Sequence, residues 1–216
     1  MKITLPVLQK ITQDNGTRHY ITPAGNRYPS VTTVISEEKK KQLAAWRKWV
    51  GRVEADRIKN FAANRGTHFH KLCEQHLQGT PVQNNVGIMF DQFKPLLHRI
   101  SNIQCMEQHL YSDHMQVAGQ VDCVAEFDNY PMIIDFKTSS KLKLRKNIWD
   151  YFMQGAAYSQ MYLERTGIDI PCMAILISCE NPAGTCQIYI DKRDNWLDKF
   201  QVLRHAYDQV TEHACV

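Results

Sequence analysis

At 216 residues the chain is long enough for a mixed domain with a full-sized core, and 44% hydrophobic with 22% charged residues excludes wholesale disorder. Lys plus Arg number 26 against 22 for Asp plus Glu, so the net charge of +4 permits a nucleic-acid partner without demanding one. Seven cysteines, an odd number with no C-x-x-C pair, argue against a disulfide framework or a zinc ribbon and fit reduced thiols.

The first residues carry no secretory leader, and no apolar run is long enough to span a bilayer. A cytoplasmic protein, not secreted and with no membrane partner, is expected. Residues 1–36 read as β and loop, with a hairpin over residues 20–28 turning at Pro23 to Asn26. A helix is expected from near Ser36, an N-cap followed by Glu37 and Glu38. Leu43, Trp46 and Val50 keep helical spacing there, among Lys39, Lys40, Lys41, Arg47, Lys48 and Arg52. Such a charge run is more often a solvated face, though Trp46 and Trp49 among cations would also suit a nucleic-acid strand. A second helix, over residues 53–78, puts His70 and Glu74 on one face, and Gly66 inside it is costly unless something packs closely. A third is expected over residues 86–101 on a stripe of Phe90, Phe93 and Leu97, completing a helical segment over 37–102.

Strands follow at about 104–112, 117–127 and 131–137, the last two as a hairpin across Asp128 to Pro131. A basic link over 141–146 leads to a helix over 148–165 that stops at Gly167. Residues 173–178 form a continuous apolar run, the mark of a strand covered on both faces, and residues 186–190 look like its edge partner. Cys123 and Cys172 lie in strand-like runs as small hydrophobes. The C-terminal segment, 192–216, carries Trp196, Phe200, Leu203, Tyr207 and Val210 on one helical stripe. With no repeat or linker, one domain over 1–216 is expected, its catalytic sheet and helix over 103–191. The class is α/β, a central mixed β-sheet flanked by helices on both faces.

The chemistry concentrates in the 131–140 stretch. Alternation puts Asp135 and Lys137 on one face of the strand, with Ile134 and Phe136 on the other. If the 117–127 strand pairs with it, Asp122 approaches Asp135, and like carboxylates brought close repel. A cation such as Mg²⁺ relieves that cost and suits oxygen ligands. Lys137 could then position or deprotonate a water and stabilise charge developing on a phosphate. The bland alternative is a surface Asp–Lys pair beside an unrelated Asp.

Further motifs tip the balance. Residues 28–32 (YPSVT), Gly66-Thr67 with His70 and Glu74, Glu107, residues 119–122 (GQVD), residues 134–139 (IDFKTS), and Gln154 with residues 156–158 (AAY) stand in this order. In that set the chain resembles the PD-(D/E)XK nuclease superfamily in its RecB-like branch. The likeness is nearest to single-strand exonucleases of the mitochondrial genome maintenance type and their phage relatives, and covers roughly residues 28 to 178. It implies a restriction-endonuclease-like core. It implies Asp122 and Asp135 as metal ligands, with the Phe136 carbonyl and His70 beside them. Lys137 would be the catalytic lysine, and Gln154 would support it, the water or the phosphate. His68 points elsewhere, Glu74 and Glu107 take supporting or structural places, and Tyr158 and Tyr162 serve as readily in the core. The family's nominal Pro-Asp is here Val121-Asp122, which leaves the metal role intact. Cys172, Cys179 and Cys186 lack the close spacing an iron–sulfur cluster needs, so none is expected.

The expectation is therefore a deoxyribonuclease using Mg²⁺ or Mn²⁺, an exonuclease on single-stranded DNA ends in replication, recombination or repair. Lys48, Arg52, Ser139, Lys141, Lys143, Arg145 and Tyr158 would contact the strand, with the basic 39–52 helix and the 141–146 link as gripping walls. The rivals are a structure-selective or site-specific endonuclease of the same superfamily, and a catalytically silent nucleic-acid-binding module.

Overall fold

Two strands rich in β-branched and aromatic residues frame the molecule: β5 (Val117–Phe127) and β6 (Tyr130–Ser139). They turn over Asp128 and Asn129, both at positive φ (53° and 66°), a two-residue loop for which Asp and Asn are suited. A computed structural model describes residues 5–14, 16–82 and 87–213. Within it β4 (Ile100–Ser112) lies antiparallel to β5, β7 (Cys172–Cys179) parallel to β6, and β8 (Thr185–Lys192) antiparallel to β7. The result is a five-stranded mixed sheet in the order β4-β5-β6-β7-β8. The parallel step from β6 to β7 needs a crossover, supplied by α5 (Trp149–Thr166), which ends at Gly167 in the left-handed conformation (φ 73°).

Strand alternation sorts the core into two layers. Ile133, Ile175 and Ile177 face α1 (Val31–Val50), α5 and α6 (Leu197–His213), where Val31, Val34, Phe152, Met161 and Phe200 close the layer. Ile134, Phe136, Ala174 and Leu176 face the other way, onto Phe69 and Leu72 of α2 (Arg52–Leu77) and onto Phe90, Phe93 and Leu97. Helices thus cover both faces, as the sequence predicts. A separate sheet of β1 (Gln9–Thr12), β2 (Arg18–Ile21) and β3 (Arg27–Pro29) docks on the end of β5. Leu8, Tyr20 and Tyr28 pack on Ala118, Ser30 bridges to Ala118, and the Tyr28 hydroxyl donates to Asp113 at 2.9 Å.

Three expectations are corrected. α1 begins at Val31 rather than near Ser36: Ser30 Oγ accepts from Thr33 N–H at 3.0 Å and caps the helix. The β-branched run 31–35 reads as strand, but burial of Val31, Val34 and Ile35 overrides that weak preference. The single helix expected over 86–101 is two turns, α3 (Ile88–Asp91) and α4 (Lys94–Leu97), with residue 86 outside the described residues. Pro95 lacks the N–H that a continuous helix requires there, while Phe90, Phe93 and Leu97 stay buried. On the C-terminal stripe Phe200 and Tyr207 are buried, but Val210 is exposed, and Trp196 precedes α6 and stacks on Phe152 at 5.1 Å.

Candidate active site

The site forms where β5 and β6 part. Their pairing stops at Cys123–Ile134, so the next N–H on β6 has no strand partner, and the Asp122 carboxylate takes its place, accepting from Phe136 N–H at 2.8 Å. On the other side, Glu107 and Asp122 drop out of the β4–β5 ladder. Glu107 sits at φ 47°, a strained setting for a non-glycine residue that costs about 1–3 kcal/mol. Val121 and Val124 both enter the α5-side core, so the alternation slips at Asp122.

Helix α2 then delivers His70. Its Nδ1 lies 3.5 Å from Asp122 Oδ2 and 4.0 Å from Glu107 Oε1, with Phe136 edge-on at 6.3 Å. His70, Glu107 and Asp122 each offer a ligand atom, all within 4.8 Å of one another. Gly66, one turn earlier, passes close to β6: a Cβ there would lie 3.9 Å from Thr138 Oγ1, ordinary contact.

Beside this group Lys137 Nζ donates to Asp135 Oδ1 at 2.6 Å and lies 2.5 Å from Oδ2. From α5, Gln154 donates through Nε2 to the same Asp135 oxygen at 3.1 Å and accepts from Lys137 at 3.4 Å. Asp135 Oδ2 is buried and, despite the nearby ammonium, receives no well-directed hydrogen bond. Tyr158, one turn beyond Gln154, approaches the backbone of Gly119, where a Cβ would meet the ring at 2.7 Å.

Electrostatics follow the geometry. Burial, with Asp122 nearby, pushes Asp135 up to about 6 against the pull of Lys137. Burial and Asp122 push Glu107 up to about 7. Burial alone would also raise Asp122, but His70, Lys137 and the Phe136 N–H outweigh it and hold that carboxyl below its usual range. Burial would lower His70 and Lys137; the neighbouring carboxylates win in both, so both are raised and Lys137 stays protonated.

Of these groups, His70, Glu107, Asp122, Lys137, Gln154 and Tyr158 line a cavity of about 560 Å³ together with Glu74, while the buried Asp135 stands behind Lys137 and outside the wall. Glu107, read from the sequence as supporting, therefore contributes an oxygen to the cluster itself. The expected strand-binding residues are more scattered. Tyr158 lines the cavity, but Lys48, Arg52, Ser139, Lys141, Lys143 and Arg145 do not. Ser139 is buried and donates to the Lys141 carbonyl at 2.6 Å; Arg145 pairs with Asp191 at 2.5 Å and lies over Phe152. In the basic helix Lys39 pairs with Asp150, Lys40 with Glu37 and Arg47 with Asp56, so much of its charge is answered internally. Besides Lys137, the cavity's cations are Lys10, Arg18 and Lys71, which sequence reasoning missed. Lys71 had one available signal, its place next to His70; Lys10 and Arg18 arrive through docking of the N-terminal sheet, which no local pattern announces.

Fold and site together define an α/β domain with an acidic, lysine-bearing pocket at the parting ends of its central strands. Among curated proteins, the chain is similar to mitochondrial genome maintenance exonuclease 1 of Mus musculus, with 30% identity over 149 residues, covering 62% of this chain and 44% of that protein. The Homo sapiens protein of the same name is 27% identical over 148 residues, covering 62% of this chain and 43% of its own length. The chain thus spans less than half the length of these curated relatives. No family model matches it. A crystal structure from Eubacterium rectale described as a candidate exonuclease overlaps 84% of this chain and 66% of its own at a TM-score of 0.36 and 14% identity, too distant to bear on function. The six described cysteines are free thiols, with Cys123 buried and Cys172 half-buried, and Cys215 lies outside the described residues. No described helix is long and apolar enough to cross a membrane.

Proposed function

We propose that this chain is a metal-dependent deoxyribonuclease of the PD-(D/E)XK, RecB-like kind that shortens single-stranded DNA from free ends. The observation that carries the reading is the convergence of His70, Glu107 and Asp122 within 4.8 Å beside the Asp135–Lys137–Gln154 network. Similarity to proteins named as exonucleases supports it. The whole chain is read as one nuclease domain.

The residues present fit a divalent cation. Carboxylate oxygens with one imidazole are a donor set suited to Mg²⁺ or Mn²⁺. The buried Asp135 Oδ2, lacking a directed hydrogen bond, and the raised Glu107 and Asp135 are what a nearby cation would relieve. His70, Asp122, Asp135 and the Phe136 carbonyl would hold it, with Glu107 added on geometric grounds. A bound cation supplies Lewis acidity and charge neutralisation at the scissile phosphate.

Lys137, kept charged by its carboxylate neighbours, acts as a cation rather than as a base. Its ammonium aligns the attacking water and stabilises negative charge on the phosphate oxygens as that water adds in line. The water loses its proton to solvent, and the opposite P–O bond breaks to release the leaving alkoxide, which takes a proton from solvent. Gln154 bridges Lys137 and Asp135 and fixes both in place. Tyr158, seated against Gly119, walls the cavity beside them.

End-labelled linear single strands and covalently closed single-stranded circles, each incubated with Mg²⁺, test this reading. Linear strands should shorten while circles stay intact. Cut circles would make the protein an endonuclease, and binding of both without cleavage would make it a silent module; either result overturns the proposal.

A further inference from the structure

We propose that Lys10, Arg18 and Lys71 form a subsite for the terminal phosphate of a DNA strand, beside the metal-suited group and separate from it. The subsite rests on the reading of the cavity as a nuclease site and names how that site would take hold of a strand end.

Three observations carry it. First, all three cations line the cavity that holds His70, Asp122 and Lys137. Second, the other cations of that wall are answered: Lys137 is bonded to Asp135 and Gln154, whereas no described carboxylate lies within ion-pair distance of Lys10, Arg18 or Lys71. Arg18 uses only its backbone, its N–H donating to Thr33 Oγ1 at 2.9 Å and its carbonyl accepting from Ser30 N–H at 2.7 Å, which leaves the guanidinium fork open. Third, the strand register sets two of the cations together. Lys10 opposes Tyr20 and Thr12 opposes Arg18, so Lys10 and Arg18 are diagonal neighbours on one face, roughly 7 Å apart by ordinary antiparallel geometry. Lys71 comes from the facing helix, one residue beyond His70.

The number of open cations points to the ligand. An internal phosphodiester carries a single negative charge, whereas a terminal phosphomonoester carries about −1.5 to −2 at neutral pH and offers three acceptor oxygens. Three open cations around one cavity match the second. A guanidinium is also the donor best shaped for bidentate phosphate recognition. The two sheets give the subsite its place: the cations come largely from the docked N-terminal sheet and the acidic group from the central one, so a strand end held by the first presents its nearby phosphodiester to the second.

The test measures binding without cleavage. A fluorescent single-stranded oligothymidylate bearing a 5′-phosphate, a 3′-phosphate, or hydroxyls at both ends is titrated with the protein in EDTA and followed by anisotropy. The wild-type protein should bind one phosphate-ended strand about tenfold more tightly than the hydroxyl-ended strand, the worth of one or two charge-assisted bonds. Arg18→Gln and Arg18→Ala should both remove that margin while leaving the hydroxyl-ended strand's affinity nearly unchanged; Lys10→Ala and Lys71→Ala should narrow it. Equal affinity of the wild-type protein for all three strands would overturn the subsite, as would variants that weaken all strands alike, because the cations would then be following internal phosphates. A wild-type protein that keeps the margin in EDTA yet cuts nothing in Mg²⁺ would sink the nuclease reading and leave the subsite standing.

Discussion

Glu107 shows how a single side chain can be visible in a sequence and still be misplaced by it. Strand alternation put Asp135 and Lys137 on one face, strand pairing brought Asp122 towards them, and helical spacing set His70 beside Glu74, whereas Gln154 was singled out only by the family resemblance. Glu107 gains its position from a backbone at φ 47° that breaks the alternation, and no composition signal encodes that. If its oxygen completes the cation group, Glu107→Gln should weaken Mn²⁺ binding by on the order of ten- to a hundredfold in calorimetric titration. Unchanged affinity would remove it from the site. Gly119 makes a second residue-scale argument, since a Cβ there would meet Tyr158 at 2.7 Å. Gly119→Ala should cost about 1–3 kcal/mol in chemical denaturation, and the same substitution should cost less when made in a Tyr158→Ala background, where the ring it meets is gone.

At the scale of elements, the long periodic or alternating segments were readable and their edges were not. β5 has the bounds its pattern predicts, and α5 stops at Gly167 as expected. The start of α1 was hidden because residues 31–35 carry strand-forming side chains that tertiary burial turns into helix. The basic link and the turn before α6 were read as nucleic-acid walls or as core, but they meet each other. The Asp191 carboxylate accepts from Trp196 Nε1 at 2.8 Å, Asn195 Nδ2 at 2.7 Å and Lys192 N–H at 2.8 Å, and pairs with Arg145. Burial would raise its carboxyl, yet these donors together hold it below the usual carboxylate range. Its contribution to stability is therefore present above that range and is lost as pH falls through the depressed folded value. Asp191→Ala should destabilise the protein by about 1–3 kcal/mol at neutral pH, because it leaves the part-buried Trp196 indole N–H without its acceptor. That deficit should shrink in acid in urea titrations; a deficit that is flat with pH would contradict the assignment.

For the whole molecule, the class of fold followed from the order of segments: a hairpin, a crossover helix and an apolar strand predict a mixed sheet covered on both sides. What the order did not convey was the docking of β1–β3 against β5, since that contact rests on a few side chains, Tyr20, Tyr28 and Ala118, distant in sequence. The docking decides the character of the cavity, because it adds Lys10, Arg18 and Tyr20 to a wall otherwise supplied by the start of α1, by α2 and α5, and by the central sheet. The same arrangement explains why the 39–52 and 141–146 cations, conspicuous in the sequence, lie outside the pocket.

The central claim is that Asp135 and Lys137, with the acidic group beside them, cut DNA with the help of a divalent cation. The most direct measurement follows end-labelled single-stranded DNA over time with the wild-type protein, with Asp135→Ala and with Lys137→Ala, in Mg²⁺ and in EDTA. The wild-type protein should shorten the strand only in Mg²⁺, and each substitution should slow that reaction by on the order of a hundred- to a thousandfold or more. Shortening that persists in EDTA, or that proceeds at the wild-type rate in either variant, would contradict the account.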